Sequence, residues 1–437
     1  MNKNLILQAE NYELNQDYKK AINCYYEILK YNQHNLDIIN KIGMCFFNLG
    51  NYEMAIKNFE KILPLLNQPI PDLFTNIGFC YGKIKNYTSS IKYYTKANKI
   101  KPNINNYKIL GDLYFYIKKY EESIKCYDKA GSNHIVLYNK CFPYLAQKKY
   151  KIGFELYENR LYNNYCEQTK LNARVDIPNI DYWDGIKKCS RLLVIYEQGI
   201  GDNIQYYRFI IELSNKYPEM IIDYFCKDIV RNMFNIYNNI NIIDNVILSL
   251  YDYKLYIMSL PKILDIEIIK PNNINYINVN EYKLNYWNDI INNSLSNKYK
   301  VGIVCNGLLS SFIDKNIPIE YFNKLNDLNI DLINLNKDNN SLNIDIDKPF
   351  EDSICILKNI DLLITIDTAI VHIAGIMNIN TWLLLGYGSD WRWSDDNNGD
   401  EPTFSYWYNS VQLIRMTENK PLYHIIDIIY NKLKDII

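Results

Sequence analysis

The stretch at residues 361–385, DLLITIDTAIVHIAGIMNINTWLLL, decides the fold of the carboxy-terminal half. It reads as a buried strand (Leu362–Ile366), a polar turn at Asp367 and Thr368, a short helix, and a second buried strand (Thr381–Leu385). Two short continuous apolar runs flanking one helix fit parallel strands covered on both faces. The polar residues stand where the first strand ends and the helix begins, the position at which open α/β sheets hold ligands. Asp367 and Thr368 are residue types that cap a helix, and the free N–H groups of a helix start attract an anion such as phosphate. His372, four residues after Thr368, projects from the same side of the first turns. The same residues also make an ordinary Asp/Thr cap with a half-buried histidine, and the stretch alone leaves both readings open.

Upstream, residues 192–196 form a buried strand, and Glu197-Gln-Gly-Ile-Gly-Asp202 follows as a turn into a helix over residues 203–215. Gly199 and Gly201 let backbone N–H groups approach a ligand closely, and Asp202 stands at the helix start, although an Asp cap on a glycine turn is common in purely structural settings. Strands at 221–225, 242–248 and 255–258 complete a first α/β unit, and the polar, Asn-rich residues 272–297 read as a link. A second unit runs from a strand at 300–305 through a loop (306–316), a helix (318–325), a strand (330–335) and a helix (350–358) to the opening stretch. Two such units in tandem place ligands in the cleft between them. Downstream, residues 386–399 carry Asp390-Trp-Arg-Trp393. Arg392 is the type that pairs with phosphate and Trp391 and Trp393 the type that stacks on a base, but the loop also reads as one merely anchored by its tryptophans.

The first 165 residues repeat a phrase. Tyr18-Lys-Lys-Ala-Ile returns at Tyr52, Tyr87, Tyr120 and, more faintly, Tyr150, with spacings of 34, 35, 33 and 30 residues. Small residues recur at one helix position (Ala21, Ala55, Ser90, Ser123, Gly153), with aromatics four residues on (Tyr25, Phe59, Tyr94, Tyr127, Tyr157). A second small position recurs at Ala9, Gly43, Gly78 and Gly111. This period with small–aromatic pairs on two helices is the signature of tetratricopeptide repeats. Two helices approach closely where one carries a small residue, and the aromatic is expected to fill the gap toward the next repeat. Such arrays present a groove to a protein partner or act as passive supports. Past them, residues 177–185 carry turn residues around Tyr182 and Trp183 and read as a linker, with Trp183 docking it onto a neighbouring domain.

Composition sets the outer limits. Lys and Arg number 48 against 49 acidic residues, which argues against a nucleic-acid or anionic-membrane surface. The ten cysteines are scattered without a C-x-x-C pair, so neither a zinc site nor a disulfide framework is indicated. No run reaches the length of a membrane span, and the first ten residues are too polar for a signal peptide. A soluble, cytoplasmic protein is expected. The over-use of Asn, Ile, Lys and Tyr reads as coding bias.

These pieces in this order resemble proteins in which tetratricopeptide repeats are fused to a glycosyltransferase family 9 (heptosyltransferase-like) domain. The phrases that carry the resemblance are Leu156-Tyr-Glu-Asn-Arg160, Tyr182-Trp-Asp-Gly185, Tyr196 to Gln205, Val301-Gly-Ile-Val304, Ile366 to Gly375, Trp382-Leu-Leu-Leu385, Asp390 to Trp393 and Trp407-Tyr-Asn-Ser410. The resemblance implies a repeat solenoid (1–165), a linker (166–190) and the two Rossmann-like lobes of the B-type glycosyltransferase fold, at 191–297 on the acceptor side and 298–437 on the donor side. It implies a nucleotide-sugar co-substrate, inversion at the anomeric carbon, no obligatory metal or cofactor, and a glycan or polypeptide acceptor. Asp202 matches the family's acid that deprotonates the acceptor hydroxyl. Asp367, Thr368 and His372 match its D-T-x-x-x-H positions beside the donor phosphates, with Gly199, Gly201 and Arg392 nearby and Gln198, Trp391 and Trp393 in stacking or supporting roles. The sequence departs from the family after Gly307, where the loop at 308–316 is shorter and only Asp314 and Lys315 match. Lys315 is the candidate phosphate cation there. Asn380 and Gly386 stand where prolines are usual.

Overall fold

The computed structural model describes residues 2–162, 175–235, 237, 239–295, 298–307, 315–336, 349–394, 404–416 and 420–437. The chain divides into two compact units, Met1–Lys140 and Cys141–Ile437. The expectation at Asp314 and the first part of the expected linker lie outside the described residues.

The first unit is a helical solenoid. Its helices pair as α1 (Asn2–Leu14) with α2 (Tyr18–Leu29), α3 (Leu36–Asn48) with α4 (Tyr52–Ile62), α5 (Pro71–Lys83) with α6 (Tyr87–Ile100), and α7 (Ile104–Tyr116) with α8 (Tyr120–Ala130). Side chains of Asp17, Asn35, Asn51, Asn86 and Asn103 accept a backbone N–H at the starts of α2, α3, α4, α6 and α7. Several asparagines that read as compositional noise therefore set helix starts. A Cβ placed on Gly43, Gly78 or Gly111 would lie 2.5, 2.9 or 2.7 Å from the ring of Phe59, Tyr94 or Tyr127. Each aromatic thus covers the small residue of its own helical pair, which corrects the expectation that it reaches toward the next repeat. Where the second small residue is serine it adds a bond: Ser90 Oγ donates to the Gly78 carbonyl and Ser123 Oγ to that of Gly111, both at 2.7 Å.

A ninth helix, α9 (His134–Ala146), contains the division, and α10 (Tyr150–Tyr157) lies wholly in the second unit. The fifth copy of the phrase, expected within a solenoid ending at residue 165, is therefore part of the α/β unit.

That unit holds two all-parallel sheets. Strands β1 (Arg191–Ile195), β2 (Ile221–Phe225), β3 (Ile240–Ile243) and β4 (Tyr253–Tyr256) form one, in the order β3-β2-β1-β4. Strands β5 (Tyr299–Val304), β6 (Ile330–Asn334), β7 (Leu362–Ile366), β8 (Thr381–Leu385) and β9 (Val411–Arg415) form the other, in the order β6-β5-β7-β8-β9. Both β7 and β8 are buried along their whole length, as their unbroken apolar runs require. Helices α11 (Ile200–Lys216), α12 (Glu281–Ser294), α13 (Pro349–Leu357), α14 (Ala369–Ile376) and α15 (Ile425–Lys434) accompany the sheets. The residues read as a polar link, 272–297, contain α12, started by the Asn280 side chain and anchored by buried Trp287 and Ile291. Trp287 Nε1 and Lys283 Nζ both donate to the buried Asp352 carboxylate, at 3.1 and 2.8 Å. The expected helix at 318–325 is a run of 3-10 turns (Ile319–Asp327), and the strand expected at 242–248 ends at Ile243. Trp183, 3% exposed, packs against Tyr217 and so docks its segment as expected.

In each sheet the strand order reverses once, between β1 and β4 and between β5 and β7. The turns that leave β1 and β7 open at these reversals, on the carboxyl ends of the strands.

Candidate functional site

The two turns meet. An ideal Cβ on Gly201 would lie 3.1 Å from His372 Cδ2 and 3.4 Å from the Ala369 Cα, so the start of α11 packs closely against the first turn of α14. Gly199 is the residue before α11, and its N–H donates to Asp202 Oδ2 at 3.0 Å. The other oxygen, Oδ1, accepts Arg392 Nη2 at 2.5 Å. Arg392 also donates through Nε to Gln205 Oε1 at 2.9 Å and through Nη1 to Asp390 Oδ1 at 3.1 Å. Its side chain is 11% exposed and lies against the rings of Trp391 and Tyr206. Burial pushes the Asp202 carboxyl above its ordinary range, Arg392 pulls it down, and Asp390 adds to the rise. The net direction is upward.

His372 is 5% exposed, stacks on Trp393 and brings Nδ1 to 2.9 Å from the Tyr408 hydroxyl. Burial, reinforced by the Arg392 charge, pushes its pKa down to about 3, so the ring is neutral. Tyr408 reaches it because residue 375 is glycine: a Cβ there would fall 2.3 Å from the tyrosine ring. Lys315 Nζ donates to the Asp367 carbonyl at 2.8 Å and stands 3.7 Å from its carboxylate. This places the Lys315 ammonium at the turn after β7.

Two expectations need correction. Thr368 occupies the cap position of α14 but makes no side-chain capping bond, and its buried Oγ1 has no hydrogen-bond partner. Trp391 and Trp393 are 3% and 0% exposed, the first packed against Phe154 and Trp407, the second on His372. Their faces are occupied inside the protein, so they support the site and offer no surface to a base.

Sequence reasoning missed the underside of the first turn. Arg160, 2% exposed, donates through Nε to both Glu197 carboxylate oxygens at 3.0 and 3.1 Å. Its Nη2 donates to Glu197 Oε2 and to Ser259 Oγ, each at 2.8 Å. Gln198, at φ 64°, donates through Nε2 to the Tyr157 hydroxyl at 2.5 Å. Asn203 Nδ2 ties the carbonyls of Glu197 and Gly199, and its Oδ1 accepts from Tyr224. The usable signal was Arg160 just after the fifth repeat copy, together with a glutamate beside a glycine turn. Among the described residues no group of three or more His, Cys, Asp or Glu side chains could hold a metal ion.

With this geometry in hand, similarity to known proteins bears on the first unit. Residues 36–63, 71–104 and 107–130 match the tetratricopeptide repeat family model. The amino-terminal part is a tetratricopeptide-repeat solenoid, an architecture that presents surface to protein partners. No curated protein matches the chain. Among solved structures, a crystal structure of MamA is 17% identical, covering 36% of this chain and 95% of that one, with a TM-score of 0.34. The crystal structure of YrrB, described as a TPR protein with an unusual peptide-binding site, is 15% identical, covering 36% and 84%, with a TM-score of 0.34. The C-terminal part of a TPR repeat-containing protein from Cytophaga hutchinsonii is 18% identical, covering 36% and 64%, with a TM-score of 0.33. Among the described residues no helix is long and apolar enough to cross a membrane.

Proposed function

We propose that the second unit is an inverting glycosyltransferase that moves a sugar from a nucleotide-sugar donor to an acceptor hydroxyl, and that the repeats recruit the acceptor, a glycan carrier or a polypeptide. The observation that carries this reading is the meeting of the Gly199–Asp202 and Asp367–His372 turns at the strand-order reversals of two parallel sheets. Asp202 takes the proton of the acceptor hydroxyl as its oxygen bonds to the anomeric carbon. The bond from that carbon to the donor phosphate breaks, and the nucleoside diphosphate leaves with the electron pair. Lys315 and the amides at the start of α14 hold the developing charge, the kind of fixed positive environment that does the work of a metal. A carboxyl raised by burial suits a base, because its proton affinity lies nearer that of its working solution. Arg392 must exchange Asp202 for the donor diphosphate before the acceptor enters.

One observation favours a second reading, a non-catalytic scaffold: both oxygens of Asp202 and three nitrogens of Arg392 are already bonded within the chain. The deciding measurement is donor hydrolysis and transfer over a nucleotide-sugar panel, with Asp202→Ala as control. Transfer that falls by about 100-fold or more in the variant supports the base role, in the range typical of general-base removal. Absence of binding at millimolar donor, seen as no rise in melting temperature, leaves the scaffold.

A further inference from the structure

We propose that α10 and the 3-10 turn after it (Glu158–Tyr162) are a positioning element for the Glu197–Asp202 turn. Several side chains of this segment contact the rest of the α/β unit. Phe154 packs edge-on against Trp391, and Lys148 lies 3.4 Å above the Tyr406 ring. Lys151 pairs with Asp265 and Glu267 at 3.0 and 3.4 Å. Tyr157 and Arg160, at the end of α10 and in the 3-10 turn after it, take hold of the turn itself.

The turn needs such a hold. Gln198 sits at φ 64°, a left-handed conformation that a non-glycine residue keeps only when its surroundings impose it. Its side chain is fixed by Tyr157, and its neighbour Glu197, 4% exposed, is fixed by the fork of Arg160. The fork matters: a guanidinium satisfies both carboxylate oxygens and Ser259 at once, which a point charge does not. From Glu197 the constraint passes along two carbonyls held by Asn203 to Gly199, whose N–H meets Asp202 Oδ2. Arg160 holds Glu197 and Tyr157 holds Gln198, so both act on Asp202 through the turn. They set where Asp202 and Gly201 stand against His372. The inference rests on the transferase reading only in calling Asp202 a base.

The test is amide hydrogen exchange on the full chain, comparing wild type, Tyr157→Phe, and the variant Arg160→Met/Glu197→Met/Glu158→Gln, which removes the buried charges together with Glu158, the other carboxylate that Arg160 pairs with. Amides of residues 197–203 are expected to exchange about ten-fold faster in both variants, equivalent to ~1.4 kcal/mol of local opening, with β1 and α1–α8 unchanged. Unchanged exchange over 197–203, or a loss of protection spread equally over β1 and β5, overturns the proposal. Should the triple variant fail to fold, Tyr157→Phe decides on the same two criteria. Exchange needs no donor, so this outcome stands whether or not the wild type transfers sugar. In an active protein the same variants are expected to lower kcat with donor KM nearly unchanged, and rescue by Arg160→Lys is expected to fail.

Discussion

His372 is the residue whose environment departs most from its ordinary one at the site. Its folded pKa of about 3 lies below the unfolded value near 6.5, so the unfolded chain takes up a proton first as pH falls. The stability that its neutral form contributes is complete above pH 6.5 and is lost progressively toward pH 3. The slope approaches but does not exceed about 1.4 kcal/mol per pH unit for one proton and is half that at pH 6.5, so lowering the pH from 6.5 to 5 is expected to cost about 1.6 kcal/mol. Asp202 has the opposite sign: its raised carboxyl binds a proton more readily when folded, so it offsets part of the loss at the acid end. Urea midpoints measured across this range for wild type and His372→Gln check the prediction. The variant is expected to lose the slope, and parallel curves would show that the imidazole is not the titrating group.

At the scale of elements, the repeat pattern makes a sharper claim about glycine than helix propensity does. Alanine at position 111 gains about 1 kcal/mol of intrinsic helix preference over glycine. Its Cβ, however, would stand 2.7 Å from the Tyr127 ring, and overpacking of this kind typically costs about 1–3 kcal/mol. Gly111→Ala is therefore expected to lower stability by about 1 kcal/mol in chemical denaturation, against the propensity scale. Ser123→Ala, which only removes a donor to the Gly111 carbonyl, is expected to change it by less than about 1 kcal/mol. The sequence exposed this packing because small and aromatic residues recur in register, and it exposed β7 and β8 because they are unbroken apolar runs. It hid α12 because Asn280, Trp287 and Ile291 lie among asparagines that read as bias, although that asparagine is the cap. It showed which residues lie at the turns, Asp202, Asp367 and His372. It could not show that Arg392 is committed to Asp202, or that Trp391 and Trp393 face inward, because those facts depend on pairings across 190 residues of chain and on burial from several elements.

At the scale of the molecule, the repeat phrase and the compact units do not end together. The phrase runs to Tyr157, yet the first unit closes at Lys140. The reason is chemical: the fifth copy carries Phe154 and Tyr157 and is followed by Arg160, and the partners of these three are Trp391, Gln198 and Glu197. A chain that starts at Ser132 keeps all three, whereas one that starts at Val175 removes them and deprives the Glu197 carboxylate of its guanidinium. Breaking a buried ion pair from one side costs about 3–5 kcal/mol. For a unit of this size that corresponds to a fall in Tm of at most roughly 5–9 °C. Calorimetry on the two chains is expected to give a single cooperative transition for residues 132–437 and a lower, broadened one for 175–437. Equal transitions would mean that the fifth pair is an appendage, and that the turn bearing Asp202 is held by the sheet alone.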